Sequence, residues 1–202
     1  MIANEIVAVI VAAGASYLLG SLPFAVLVSR MAGVDIFEVG TANPGASNVF
    51  RKVGRVYGAA VFALDILKGL VAVLAGMLLG CPDVFLPVAS SFAIVGHWLP
   101  IFMRFKGGAG LATGLGVGVA LLGWWGLIPT VAGLAALPLI KDGPRSAAVT
   151  FAVAVVVGLA TGPHWIALGG MVLILALLLG RLFLVEFPRD RRGERPEPHV
   201  RS

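Results

Sequence analysis

The sequence predicts an all-α, polytopic integral membrane protein that crosses the bilayer about seven times. Three observations point there. Of the 202 residues, 59% are hydrophobic and 12% are charged, and the mean hydropathy is +1.00. Soluble domains usually carry about 25% charged residues. A chain this small cannot hide so much apolar surface within itself, whereas a bilayer can. The apolar residues are gathered into runs near the roughly 20 residues that a helix needs to cross a hydrocarbon core of about 30 Å. The basic residues fall in alternate connections between those runs, a pattern that sets orientation in a membrane.

Four runs are clear: 5–29, 56–80, 84–103 and 164–187. A fifth, 146–162, is shorter and almost free of polar side chains. The stretch 111–140 is too long for one comfortable span and short for two, and its centre reads Gly123-Trp124-Trp125-Gly126. Trp favours the membrane–water interface and Gly favours turns, so two short helices joined at an interface are expected. Of the 15 Lys and Arg residues, all but Lys68 lie in or near 30–55, 104–106, 141–145 or the end from Arg181 onward. The connections 1–4, 81–83, 123–126 and 161–163 carry none. Seven spans place every basic connection on one side, with the N-terminus out and the C-terminus in. Six would leave Lys141 and Arg145 outside.

Residues 1–187 therefore read as a single transmembrane domain and 188–202 as a Pro- and Arg-rich cytoplasmic tail near anionic headgroups, without a catalytic role. The N-terminus lacks the basic region of a cleaved signal peptide. The high pI follows from membrane orientation, and no nucleic-acid partner is expected. Cys81 is the only cysteine, which excludes a disulfide framework and a cysteine metal cluster.

Three polar stretches fall on the cytoplasmic side of this topology. The first, Gly20-Ser21-Leu22-Pro23-Phe24, reads by itself as a proline-kinked helix whose hydroxyl bonds a backbone carbonyl. The second runs from Gly40 through Thr41, Asn43, Gly45, Ser47 and Asn48 to Arg51. Its residue types suit helix caps and anion-binding turns, and equally a plain interfacial loop. The third is Phe105-Lys106-Gly107-Gly108-Ala109-Gly110-Leu111-Ala112-Thr113. Glycines let backbone N–H groups converge on an oxyanion, a helix N-terminus adds partial positive charge, and Lys106 adds a full one. The spacing is not that of a Walker loop. Gly110, Gly114 and Gly118 recur every four residues, which predicts a smooth face for helix packing.

Inside the spans, Asp65 and Lys68 stand at i and i+3. Charges in a span are expensive and normally paired toward the protein interior, so they read as a structural ion pair or as part of a site. His97 lies near the inner end of its helix, where it either makes a helix-end hydrogen bond or joins the site. His164 and Asp83 fall on the outer side.

Taken in order, these residues resemble the bacterial acyl-phosphate:glycerol-3-phosphate acyltransferases, the PlsY family. The resemblance is carried by Gly20-Ser21-x-Pro23-Phe24, by Asn43-x-Gly45-Ala46-x-Asn48-Val49-x-Arg51 and by Asp65-x-x-Lys68-Gly69. The last piece is Gly96-His97-x-x-Pro100-x-Phe102-x-x-Phe105-Lys106-Gly107-Gly108-x-Gly110-x-Ala112-Thr113, with matching length and span layout beyond it. There are three departures. The family usually reads Gly-Ser-Gly-Asn where this chain has Gly40-Thr41-Ala42-Asn43. It has a second lysine where Ala109 stands, and a His and an Asn after the arginine matching Arg181, where this chain continues Leu182-Phe183-Leu184-Val185.

The resemblance implies transfer of a fatty acyl group from acyl phosphate to the 1-hydroxyl of glycerol 3-phosphate, giving lysophosphatidic acid for phospholipid synthesis in the bacterial inner membrane. The implied substrate-binding residues are Ser21, Thr41, Asn43, Gly45, Ser47, Asn48, Arg51, Lys106, Gly107, Gly108, Gly110 and Thr113. Arg51 and Lys106 would give electrostatic support. Asp65, Lys68, His97, Arg104 and Arg181 would line the site or brace it. No cofactor or metal is expected, and membrane lipids are the remaining partners. No Ser-His-Asp set is visible, and neither His97 nor His164 begins a His-x4-Asp pair. The substrate phosphate is therefore expected to take the proton, with the protein supplying positioning and electrostatics. Two other classes stay open: a non-catalytic or altered-specificity relative, and a small-solute transporter using Asp65 and Lys68. The lack of an evident inverted repeat counts against the transporter.

Overall fold

The computed structural model describes residues 2–140, 143–160 and 165–181, and among these all regular structure is helical. The helices are α1 (Ile2–Gly20), α2 (Phe24–Met31), α3 (Ala46–Lys52), α4 (Arg55–Leu78), α5 (Leu86–Trp98), α6 (Leu111–Leu122), α7 (Leu127–Ile140), α8 (Gly143–Ala160) and α9 (Trp165–Arg181). Among the described residues four helical stretches are long and apolar enough to cross a membrane: Ile2–Met31, Arg55–Leu78, Leu86–Met103 and Leu111–Ala132. Val149–Ala160 and Trp165–Arg181 are shorter apolar helices. His164, Lys141 and the expected tail 188–202 lie outside the described residues.

The apolar run expected at 5–29 is interrupted. Pro23 has no N–H to donate and disfavours helical geometry at Leu22, so α1 ends at Gly20 and α2 restarts at Phe24. The segment expected as a loop around 30–55 contains a short helix, α3, which packs on the first turns of α4. Gly58 makes that contact possible, because a Cβ there would collide with the backbone of Phe50. Pro100 stops α5 at Trp98, and one 3-10 turn, Ile101–Met103, follows. At Gly123 the backbone takes φ +59, open to glycine and costly for other residues. The chain turns there through exposed Trp124 and Trp125 and brings Gly126 against Val119.

The helices are inverted relative to those of a water-soluble protein. Small and polar residues face inward: Ala12, Ser16 and Gly20 on α1, and Asp65, Lys68, Gly69, Ala72 and Gly76 on α4. Large apolar residues face outward, among them Ile6, Ile10, Leu67, Leu74 and Met77. Lipid tails solvate such residues as well as another helix would, so helix association rests on close packing of small residues. Gly20 and Gly96 let α1 and α5 meet backbone to backbone, since a Cβ on either would strike Ala93 or Tyr17 main chain. Gly69 and Gly116 do the same for α4 and α6, against Thr113 and Ile66. In the predicted glycine stripe, Gly114 and Gly118 receive Ile174, Leu178 and Met171 of α9. The main core joins α1, α4, α5, α6 and α9 with Phe151 and Ala154 of α8. A second cluster of Ala25, Val26, Ile36, Val49 and Val61 seats α2 and α3 on the start of α4.

Candidate active site

The inner end of the bundle is organised around Lys68. Its buried ammonium lies 2.8 Å from Asp65 Oδ1, donates to the Leu22 carbonyl at 3.3 Å and lies 2.7 Å from His97 Nδ1. An ammonium has three N–H donors and no acceptor, and these three contacts use all of them. Lys68 thus ties the middle of α4 to the break between α1 and α2 and to the end of α5. Its Nζ also lies 5.8 Å from the Phe24 ring centroid, within cation–π range. Thr113 Oγ1, from the first turn of α6, stands 3.2 Å from the same His97 nitrogen.

The 40–48 loop is held by one side chain. Asn48 is buried, and its Nδ2 donates to the carbonyls of Val39 at 3.0 Å, Asn43 at 3.2 Å and Ile36 at 3.4 Å. Its Oδ1 accepts the Thr41 N–H at 3.2 Å. An amide with donors and acceptor so engaged serves the loop backbone. Within the loop Ala42 takes φ +54, the left-handed region that suits glycine. This is a position where the sequence departs from the resembled pattern. Gly45 then caps α3, which carries Ser47 and Arg51 to the surface.

The glycine loop 106–110 folds back over α5. Gly108 N–H donates to the His97 carbonyl at 3.2 Å. Trp98 Nε1 donates to the Ala109 carbonyl at 2.8 Å, and Arg181 Nη2 to the Gly107 carbonyl at 3.4 Å. Arg181 also stacks 5.5 Å from the Trp98 ring centroid. With its carbonyls drawn to those two side chains, the loop leaves the N–H groups of Ala109, Gly110, Leu111 and Ala112 without hydrogen-bond partners among the described residues. A helix N-terminus with unsatisfied amides favours an anion. Arg104 and Phe105, at φ +51 and +63, turn the chain sharply into this loop and leave Arg104 and Lys106 exposed.

The four motifs meet at one small pocket. Its walls include Gly20 and Pro23, Pro44, the Asp65–Lys68–His97 cluster, Pro100 and Gly108. Ser21 is buried beside it, but its hydroxyl donates to Tyr17 O at 2.8 Å within its own helix. Thr41, Ser47, Arg51, Arg104 and Lys106 are exposed, and Asn43 and Arg181 are half-buried. The network joining Asp65, Lys68, His97 and Thr113 does not follow from the sequence, where these residues are 3 to 48 positions apart. Trp98 is the residue that sequence reasoning passed over. Its signal was an indole N–H near a glycine loop, since a half-buried indole seeks an acceptor.

A family model described as "Glycerol-3-phosphate acyltransferase" matches residues 10–189. A Geobacter metallireducens protein of that name is 46% identical over 116 residues, 57% of this chain and 59% of the relative. One from Actinobacillus succinogenes is 43% identical over 133 residues, so the aligned part spans 66% of that relative. One from Thioalkalivibrio sulfidiphilus is 39% identical over 186 residues, 90% of both chains. The fold is similar to the crystal structure of PlsY (YgiH), an integral membrane glycerol 3-phosphate acyltransferase, in its glycerol 3-phosphate form. The TM-score is 0.76 at 31% identity, covering 93% of this chain and 90% of that one. Its lysophosphatidic acid form gives 0.77 at 29% identity, covering 91% of each.

Proposed function

The chain belongs to the glycerol-3-phosphate acyltransferase family, and on that premise we propose that it transfers a fatty acyl group from acyl phosphate to the 1-hydroxyl of glycerol 3-phosphate. The hydroxyl oxygen attacks the acyl carbonyl carbon, the C–O bond to phosphate breaks, and the departing phosphate carries off the hydroxyl proton. Lysophosphatidic acid and inorganic phosphate result. Phosphate is a good leaving group and a sufficient base, so the protein's task is positioning and charge stabilisation. One observation carries this reading: Gly108 of the glycine loop, which leads into the open amides of 109–112, lines the pocket where all four motifs meet, together with Lys68 and His97. In the proposed assignment the loop residues Lys106, Gly107, Gly108 and Gly110 cradle one phosphate. Ser21, Thr41, Asn43, Gly45, Ser47, Asn48, Arg51 and Thr113 complete the substrate-binding region. Within it, Asn48 and Ser21 act through the backbone they fix.

Both substrates are anions and the product is a lipid, which suits a site at a membrane surface. The proposed location is the bacterial inner membrane with the pocket facing the cytoplasm. Seven spans within 1–187 put Arg30, Arg51, Arg55, Arg104, Lys106 and Arg181 on that one side, as the positive-inside rule requires. In a Cys81-free background, a cysteine replacing Trp124 should react with an impermeant thiol reagent from outside and one replacing Arg30 should not. The opposite pattern overturns this orientation.

The reaction is tested by assaying purified protein with glycerol 3-phosphate and either acyl phosphate or acyl-CoA. Transfer from acyl phosphate alone is expected. Transfer from acyl-CoA alone rejects the proposal. A non-catalytic relative is the second reading, favoured by Ala109 and by the apolar residues 182–185. Silence with both donors supports it.

A further inference from the structure

His97 has one ring nitrogen committed and one facing the pocket. The buried Lys68 ammonium, 2.7 Å from Nδ1, can only donate, so Nδ1 must accept and the ring proton must sit on Nε2. Asp65 Oδ1, at 3.7 Å from Nδ1, is beyond hydrogen-bond reach and is engaged by Lys68. The ring is more than nine-tenths buried, at 7% exposure. Nε2 has no hydrogen-bond partner among the described residues, yet it is not sealed in protein. It lies against Gly108, close enough that a Cβ at 108 would stand 2.5 Å from it. A buried N–H donor left open at a pocket wall incurs a desolvation cost unless a ligand or water occupies the pocket.

We propose that the His97 Nε2–H donates to a phosphate oxygen of a substrate lodged between Gly108 and the break that separates α1 from α2. Lys68 is then the positioning residue, fixing the tautomer and the ring plane, and Thr113 steadies the same nitrogen. Gly108 is glycine because its hydrogen atom leaves Nε2 uncovered. This inference rests on the reading that the substrates carry phosphate.

Two variants separate the ring's two ends. Asn places a carbonyl oxygen where Nδ1 was and keeps an acceptor for Lys68, but has nothing at Nε2. Gln reaches the Nε2 position with an N–H. Expected in full-length protein in detergent is a rise of about tenfold in KM for one of the two substrates in His97→Asn, with kcat within about threefold. Loss of one hydrogen bond gives that scale. His97→Gln should stay within about threefold of wild type in KM. Which KM moves identifies the phosphate as that of glycerol 3-phosphate or of the acyl donor. A purely structural His97 predicts the reverse order, with Asn better than Gln.

Wild-type protein with 15N-labelled histidine supplies an arm that needs no turnover or variant. His97→Asn identifies the His97 signals by their loss. The Nε2–H tautomer is expected, and its Nε2 resonance should shift when glycerol 3-phosphate or a hydrolysis-resistant acyl phosphonate is added. An Nδ1–H tautomer, or an Nε2 signal unmoved by both probes while the protein turns over, overturns the inference. A wild type that transfers no acyl group but whose Nε2 signal shifts with glycerol 3-phosphate rejects the reaction and leaves the donor role standing. No turnover and no shift rejects both.

Discussion

Trp98 donates its indole N–H to the Ala109 carbonyl at 2.8 Å, and this bond decides which way the glycine loop faces. The carbonyl it captures is drawn to α5, while the N–H groups of Ala109, Gly110, Leu111 and Ala112 keep no hydrogen-bond partner among the described residues. Arg181 repeats the arrangement two residues earlier, at the Gly107 carbonyl. Trp98→Phe keeps most of the apolar contact and deletes the donor. The expected outcome is a KM increase of about fivefold to tenfold for a phosphate-bearing substrate, matching a loss near 1 kcal/mol, with little change in thermal stability. A variant that melts many degrees lower at unchanged KM would make Trp98 a packing residue only.

Breaking the Asp65–Lys68 pair should damage the fold before it damages chemistry. Asp65→Ala strands a buried ammonium, and losing one partner of a buried pair costs about 3–5 kcal/mol. Removing both charges, as in Asp65→Ala with Lys68→Met, should recover much of that stability. Activity should not recover, because His97 loses the ammonium that holds Nδ1. Melting temperatures in detergent alongside turnover check both halves. A double variant as active as wild type would remove Lys68 from any positioning role.

The 40–48 loop offers a change of each sign. Ala42 sits at φ +54, a conformation that costs a non-glycine residue about 1 kcal/mol or more. Ala42→Gly should therefore raise the melting temperature, offset in part by the freedom glycine gains when unfolded. Asn48→Asp should do the opposite, because it turns the donor that serves three carbonyls into an acceptor. Asn48→Asp is expected to be no better than Asn48→Ala in stability or transfer. An Asp variant that behaves like wild type would contradict the hydrogen-bond pattern described for the loop.

The membrane class and the helical runs were legible because both are one-dimensional. Hydropathy marks a span residue by residue, and each of the four motifs is local. The α1–α2 break was half legible: Pro23 announced a kink, and the structure shows a full interruption. Helix α3 was obscured because 46–52 is short and dense in Ser, Asn and basic residues, and its stability comes from packing Val49 into a cluster assembled from 25, 26, 36 and 61. The tie between Lys68 and His97 was not legible at all. Their separation of 29 residues is bridged only once α4 and α5 are docked through small residues. The burial of Lys68 and the exposure of Lys106 were legible, since one lies inside a span and the other in a polar connection.

The most direct measurement compares Lys106→Ala with Arg30→Ala in the acyl-phosphate assay at low and moderate salt. Lys106 is the charge next to the open amides of the glycine loop, whereas Arg30 is an exposed residue at the end of α2. If the loop holds a substrate phosphate, Lys106→Ala should lower transfer by roughly tenfold to a hundredfold, the scale of one charged hydrogen bond. Lys106→Arg should recover little, since a planar guanidinium does not replace a compact ammonium. Arg30→Ala should leave transfer close to wild type. Equal, modest losses in both alanine variants, reproduced in wild type by added salt, would reduce Lys106 to diffuse attraction and contradict a phosphate-binding loop.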